Sequence, residues 1–202
     1  MRVLPTICLV ALCATAWAGA GRVSVTVNDR DDETPLAKAL VVAVAKGKVA
    51  ATGHTKADGT WTGEVPVGEV TVVATRTLHI AEARTITVEA QKPAQLSFKL
   101  RKQQAEDFRE LGRIVGFVRD ADGKPLAKAV LVLLRRDGEK GALVAVGASQ
   151  PKNATGIYEL QWYPPGTYTV LVTAPDHQDR SYQGQEISAG ESLWLDVTVQ
   201  KR

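Results

Sequence analysis

Two segments of this chain have nearly the same sequence. Pro-Leu-Ala-Lys-Ala occurs at residues 35–39 and again at 125–129, and both copies continue into a run of apolar residues. A segment of the pattern Arg-x4-Val-x-Asp precedes each copy, at residues 22–29 and 113–120. A repeat with a spacing of about 90 residues, in a chain of 202, predicts two copies of one domain in tandem.

The spacing between the copies changes along the chain. It grows from 90 at Pro35 and Pro125 to 98 at Gly68 and Gly166. About seven extra residues therefore fall around 135–142 of the second copy, and one more precedes its Pro-Pro-Gly turn. Surface turns tolerate insertions at low cost, so these positions predict loops.

The periodicity of both copies is that of β-strands. Valines at 23, 25 and 27 alternate with polar residues, and residues 167–173 repeat the pattern in the second copy. Asp-Gly and Pro-Gly turn dipeptides separate such segments. About seven short strands per copy predict an all-β chain of two tandem Greek-key β-sandwiches. The polar segment between them permits one or two helical turns, with Phe108 and Leu111 placed to pin it to a domain.

One strand of each copy departs from alternation. Residues 39–44 and 129–134 are apolar on both faces, whereas a strand with one wet face should alternate. We therefore expect the outer face of each to be covered by the other copy, the linker or a partner chain. Phe117, at the position of Thr26 in the first copy, fits the same expectation.

The first twenty residues have the features of a secretory signal. Arg2 precedes an apolar segment at 4–18, and small residues at 16, 18 and 20 suit cleavage. We expect a secreted or periplasmic bacterial protein whose mature chain has no transmembrane segment. Both cysteines lie inside this signal, so the mature chain is expected to hold no disulfide, no cysteine metal site and no thiol nucleophile. The net charge of +3 is dispersed, which disfavours a nucleic-acid partner.

The repeated motif resembles a known family. Gly-x-Val-x-Asp-x-x-Gly-x-Pro-Leu-Ala-x-Ala at 116–129, Gly-x-Tyr-x-Leu at 156–160 and Pro-Pro-Gly-Thr-Tyr-Thr-Val at 164–170 are similar to the carboxypeptidase regulatory-like domain. The first copy departs from it, with Val25 in place of Gly116 and Trp61 in place of Tyr158. The resemblance implies accessory sandwich domains at 21–101 and 113–202. The signal features place a signal at 1–20, and the polar segment between the copies is the linker at 102–112.

Catalytic and metal-binding patterns are weak. His79 and Glu82 are spaced like zinc ligands, with His177 as a distant partner, but strand residues three apart point to opposite faces. The acidic runs at 28–33 and 120–123 lack the spacing of a calcium loop, and we expect their carboxylates to bond nearby backbone N–H groups. Asn28 and Asn153 do not lie on a final strand, which argues against an isopeptide crosslink. We therefore expect that the protein is not an enzyme and that it has no catalytic residue, no bound metal and no cofactor.

Aromatic residues offer the remaining candidates for a site. Trp61, Tyr158, Tyr163 and Tyr168 fall at inward positions, which predicts core packing. The predicted binding residues are Trp162 and Tyr182, as an exposed contact patch, and Trp194, which faces opposite to Leu193 and Leu195. The competing role for these rings is to cover a domain interface. The sequence thus predicts a secreted, non-catalytic module for adhesion, scaffolding or accessory binding, with an extracellular or envelope protein or glycan as partner. The alternative is a carbohydrate-binding protein that uses exposed aromatics.

Overall fold

The first copy of the repeat folds as a seven-stranded sandwich in the computed structural model, which describes residues 19–136 and 142–202. A three-stranded outer sheet has the order β4-β1-β7, and a four-stranded inner sheet has the order β3-β2-β5-β6. Strands β1 and β7 are parallel, and the other neighbours are antiparallel. The strands are β1 (Ala20–Asp29), β2 (Leu40–Ala45), β3 (Lys48–His54), β4 (Thr60–Pro66), β5 (Gly68–Thr75), β6 (Glu82–Val88) and β7 (Ala94–Leu100).

The second copy repeats this plan with a divided last strand. Its outer sheet has the order β11-β8-β14, with β15 also paired to β8, and its inner sheet has the order β10-β9-β12-β13. Both β14 and β15 run parallel to β8, as β7 does to β1. The elements are β8 (Gly112–Asp120), β9 (Val130–Arg136), β10 (Leu143–Ser149), β11 (Ile157–Tyr163), β12 (Gly166–Thr173), β13 (Arg180–Ile187), β14 (Ser192–Trp194) and β15 (Val197–Val199). The predicted all-β tandem of Greek-key sandwiches is confirmed.

Each sandwich has its own apolar core between its two sheets. Alternation along β1 and β8 directs valine and isoleucine inward and leaves the intervening residues half-buried on the outer face. The aromatic residues expected in the core are there: Trp61, Tyr158, Tyr163 and Tyr168 are all buried. The large side chains that fill the first core include Trp61, Phe98 and Leu100, and those of the second include Tyr158, Leu160 and Tyr168.

A third apolar cluster joins the two sandwiches. The inner sheets face each other, and β10 lies against β5, β6 and β2 of the first copy. The second faces of β2 and β9 meet there, so the prediction that these strands are covered on both sides is confirmed, and the cover is the other copy. The buried residues of this interface are Leu40, Val42, Val44, Val73, Val130, Val132, Leu134, Ala145, Ala148 and Leu171.

The segment between the sandwiches forms one helical turn, α1 (Asp107–Glu110). Arg101 clamps it by donating two hydrogen bonds, of 2.8 and 2.7 Å, to the carboxylate of Asp107. The Gln103 amide donates to Gln161 at 3.1 Å, and the Phe108 ring packs edge-on against Trp162 at 4.5 Å. The linker is therefore fixed to the second sandwich, with Phe108 in the pinning role that its position predicted.

Two features predicted from the sequence lie mostly outside the described residues. The signal sequence lies outside the described residues apart from Gly19 and Ala20, and residues 137–141 of the predicted insertion also lie outside them. Among the residues that the structure describes, no helix is long and apolar enough to cross a membrane.

Candidate binding surface

The outer sheet of the second sandwich carries an exposed aromatic residue. Trp194, on β14, is 60% exposed, whereas its neighbours Leu193 and Leu195 pack partly buried against the second core. The predicted orientation of Trp194 is therefore confirmed. Its ring meets that of Phe117, on β8, edge-on at 5.8 Å between centroids. Because Phe117 stands on the central strand of the sheet, the exposed indole has a rigid support.

A third apolar side chain extends this surface. Ile157, on β11, lies directly opposite Phe117 in the strand register and is 39% exposed. Phe117, Trp194 and Ile157 form what we call the aromatic platform. The corresponding outer face of the first sandwich is polar, since β1 places Ser24 and Thr26 there. The platform is thus a property of the second copy alone.

Arginines flank the platform along β8. Alternation puts Arg113, Val115, Phe117 and Arg119 on one face of that strand. The guanidinium of Arg119 lies 4.3 Å from the centroid of the Phe117 ring, a cation–π contact. Within residues 19–136 and 142–202, Arg119 forms no ion pair with a carboxylate, so its charge is balanced by the ring and by solvent.

Arg113, at the other end of β8, is ion-paired. It donates hydrogen bonds to Glu159 at 2.8 Å and to the hydroxyl of Ser192 at 2.7 Å. Lys152 binds the second oxygen of Glu159 at 2.6 Å. Partial burial alone would raise the pKa of Glu159, but these donors outweigh it and hold that pKa below its usual range. Of the two arginines on this face of β8, Arg119 is therefore the one without a carboxylate partner among the described residues.

The other two predicted binding residues do not join Trp194. Trp162 is only 8% exposed, so the expectation that it is open to solvent is wrong. The extra residue in β11 forms a bulge between Leu160 and Tyr163, where Trp162 adopts a φ of 62°, and its ring lies beneath Phe108.

Tyr182 closes the edge of the second sandwich. Its hydroxyl donates to the carbonyl of Thr198 at 2.9 Å and accepts from the N–H of Thr198 at 2.8 Å, which ties β13 to β15. Trp162 and Tyr182 lie near opposite ends of β8, so the predicted patch of these two rings is wrong.

The histidines serve one end of each sandwich. His79 Nε2 lies 3.1 Å from the carboxylate of Asp29, and Lys102 pairs with the same oxygen at 3.1 Å. In the second copy His177 is buried with Nδ1 at 2.7 Å from the Pro175 carbonyl, and Lys201 lies 3.6 Å from Asp120. In both copies the backbone of the histidine forms an isolated antiparallel bridge with the lysine that follows the last strand. No group of three metal-ligating side chains occurs within the described part of the chain.

The acidic runs form turns, as expected. Asp29 accepts from the N–H of Asp31 at 2.9 Å, and Asp120 accepts from the N–H groups of Asp122 and Lys124 at 3.0 and 2.8 Å. The backbone bond from Asp31, with the contacts from His79 and Lys102, holds the pKa of Asp29 well below its usual range. Sequence reasoning missed the Asp–His–Lys arrangement, although the residues occupy equivalent positions in the two copies.

An open cleft of about 540 Å³ separates the sandwiches at one side of their interface. Its walls carry His54 and Arg76 from the first copy and Ser149, Lys152 and Glu159 from the second. The Lys152–Glu159 pair neutralises much of the charge on one wall. The cleft is polar and contains none of the exposed aromatic rings.

Comparisons with known proteins identify the domain type. A family model described as the carboxypeptidase regulatory-like domain matches residues 22–101 and 113–200. No curated protein matches the chain.

Among solved structures, the Bacillus anthracis TIE protein is 17% identical, with 92% of this chain and 35% of that chain covered and a TM-score of 0.37. A streptococcal ancillary pilin is 15% identical, with coverages of 92% and 63% and a TM-score of 0.34. The shaft pilin SpaA from Lactobacillus rhamnosus GG is 13% identical, with coverages of 91% and 98% and a TM-score of 0.32. The chain thus spans about a third of the TIE protein and less than two thirds of the streptococcal pilin.

Proposed function

Because the chain belongs to the carboxypeptidase regulatory-like domain family, with two copies of that domain in tandem, we propose that it is a secreted, non-catalytic binding module. Its partner is an extracellular or cell-envelope component, and its binding surface is the outer sheet of the second sandwich. The signal-like residues 1–20 support secretion. The accessory character that the resemblance implies supports a binding role rather than catalysis.

The observation that carries this proposal is the exposed ring of Trp194. Both cores and the face between the sandwiches are filled with apolar side chains, whereas Trp194 keeps 60% of its surface in water. Leaving a large aromatic side chain exposed forgoes about 1.5–3 kcal/mol of burial energy. Tryptophan and arginine are also the residues that most often dominate binding energy at interfaces.

The arrangement of the sheets supports the same surface. The inner sheets cover each other, so the two outer sheets are the broad faces left to solvent. Of these, only the second presents exposed aromatic rings among the described residues, since Trp61 and Phe98 of the first are buried in its core. The platform stands on three hydrogen-bonded strands, which spares a partner the cost of ordering a loop.

The test compares two substitutions at equivalent positions of the two copies. Trp194 pairs with Val115 as Gln95 pairs with Ser24, so Gln95→Ala is the matched control for Trp194→Ala. We expect residues 21–202 to bind saturably to cell envelopes of the producing bacterium, with Trp194→Ala about tenfold or more weaker and Gln95→Ala unchanged. Equal binding by the two variants, or no saturable binding by the wild type, would contradict the proposal.

A further inference from the structure

The face that carries Trp194 offers a ligand both apolar aromatic rings and a positive charge on neighbouring strands. Trp194 and Phe117 supply apolar aromatic rings, and Arg119 supplies a cation over the ring of Phe117. We infer that the ligand of this surface is an anionic glycan, a polysaccharide with uronic acid residues. This inference rests on the proposed function and names the chemistry of its partner.

The aromatic platform suits a sugar ring. One face of many pyranoses presents axial C–H groups, which pack against an aromatic ring while the hydroxyls stay in water at the rim. Trp194 offers such a ring, held in place by Phe117 at 5.8 Å. A hydrogen-bonding group borders the rings: Asp196, two residues after Trp194, accepts a hydrogen bond from the N–H of Phe117 through one carboxylate oxygen at 2.9 Å.

The charge at the Arg119 end favours a carboxylate. The guanidinium of Arg119 lies 4.3 Å from the centroid of the Phe117 ring and has no carboxylate partner among the described residues, so its N–H groups can bind a carboxylate in a bidentate way. A second arginine is close, because Arg180 donates to the carbonyl of Thr198 at 3.2 Å and Thr198 is the strand partner of Arg119. Two acids lie on this face: Asp196, which accepts from the N–H of Phe117, and Glu159, which Arg113 and Lys152 share. Within the described residues, neither of them forms an ion pair with Arg119.

The size of the platform favours a glycan over a folded protein. Its apolar part consists of three side chains, and charged or hydroxyl groups adjoin it at both ends of β8. Stable protein–protein interfaces bury about 800 Å² per partner around an apolar centre. A stacked sugar with a charged substituent needs only a ring-sized contact and a few polar groups at its rim.

The closing experiment uses a probe whose charge can be removed. Oligogalacturonate, oligoglucuronate and oligomannuronate are titrated into residues 21–202 by calorimetry, each beside its methyl ester, which keeps the sugar ring and removes the carboxylate charge. We expect at least one acid to bind about tenfold more tightly than its ester. The preference should shrink with added salt, because an exposed charge pair is screened.

Two variants separate the ring from the charge. Arg119→Ala should lower the affinity for the acid to that for the ester and leave the ester unaffected, whereas Trp194→Ala should weaken both. Arg22→Ala and Gln95→Ala, on the outer face of the first sandwich, are the controls that should change neither.

The outcomes distinguish this inference from the proposed function. Equal binding of acid and ester through Trp194, or envelope binding that needs Trp194 while none of the uronates binds, would overturn the anionic glycan and leave the proposed binding surface intact. In the second case the partner is a protein or another class of molecule. Envelope binding that survives Trp194→Ala would overturn both.

Discussion

A single carboxylate, Asp29, holds three segments together at one end of the first sandwich. It accepts a hydrogen bond from the turn after β1, contacts His79 from the β5–β6 connection, and pairs with Lys102 beyond β7. The second copy places Asp120, His177 and Lys201 at the equivalent positions. The Asp–Lys pair recurs there, but Nε2 of His177 is buried without a hydrogen-bond partner among the described residues, so the full contact of all three side chains belongs to the first copy. We interpret the arrangement around Asp29 as a structural clasp of the first sandwich.

The clasp predicts a dependence of stability on pH. The folded state depresses the pKa of Asp29, through the backbone bond from Asp31 and the contacts with His79 and Lys102. A depressed pKa contributes stability that is complete above the unfolded value, about 3.9, and is lost as pH falls through the folded value. Asp29→Asn should therefore lower the free energy of unfolding at pH 7 and flatten its fall between pH 5 and pH 2.

Urea unfolding curves at several pH values measure this slope. Other carboxylates, such as Asp58, also have depressed pKa values and contribute equally in both proteins, so the difference between the variant and the wild type isolates Asp29. Asp31→Asn, a change at an exposed carboxylate of the same turn, is the control. Slopes of equal steepness in Asp29→Asn and the wild type would rule out the clasp.

The divided last strand of the second copy has a local cause. Gly116 lies so close to the carbonyl of Leu195 that an added Cβ would overlap that oxygen. The same carbonyl accepts a hydrogen bond from the hydroxyl of Tyr158 at 2.6 Å. The first copy has a buried valine at the corresponding position, Val25, and its last strand is continuous. We therefore infer that the close approach of Leu195 at the break in the strand requires glycine at position 116.

Substitution of this glycine tests the connection. Gly116→Ala should push Leu195 outward, break the Tyr158 hydrogen bond and destabilise the second sandwich by about 1–3 kcal/mol. Thermal unfolding measures the loss, and Val25→Ala provides a comparison in the first copy, where it should cost about 1–3 kcal/mol by leaving a cavity instead. Since Trp194 directly precedes Leu195, the emission of the exposed indole should also shift in Gly116→Ala alone. Unchanged stability and emission would refute this account of the break.

Elements with a regular period could be predicted from the sequence, and irregular ones could not. The alternation of β1, β8 and β12 indicates their inward residues correctly, because a period of two fixes the face of each side chain. The burial of Trp162 could not be predicted in this way, since the bulge in β11 shifts the alternation by one residue. The Asp29 clasp could not be predicted either, because its residues lie far apart in the chain and follow no periodic pattern.

At the scale of the whole molecule, the two sandwiches share one apolar interface. The sequence predicted that β2 and β9 are covered on both faces, but it left the other copy, the linker and a partner chain as alternatives. A strand that is apolar on both faces is expected to be buried on both, but its sequence does not indicate which part of the protein covers it. The structure resolves this in favour of the other copy, and the outer sheets consequently face away from each other.

This shared interface predicts that the two sandwiches unfold together. Val42 and Val132 are fully buried in the interface, on opposite sides of it. A carboxylate at either position would be desolvated without a partner, at a cost of several kcal/mol, and the inner sheets would separate to hydrate it. Differential scanning calorimetry of residues 21–202 should show one cooperative transition for the wild type and two for Val132→Asp, with one sandwich melting before the other. The exposed Val67, changed to Asp, is the control that should keep a single transition. Two transitions in the wild type, or one unshifted transition in Val132→Asp, would show that the interface does not couple the sandwiches.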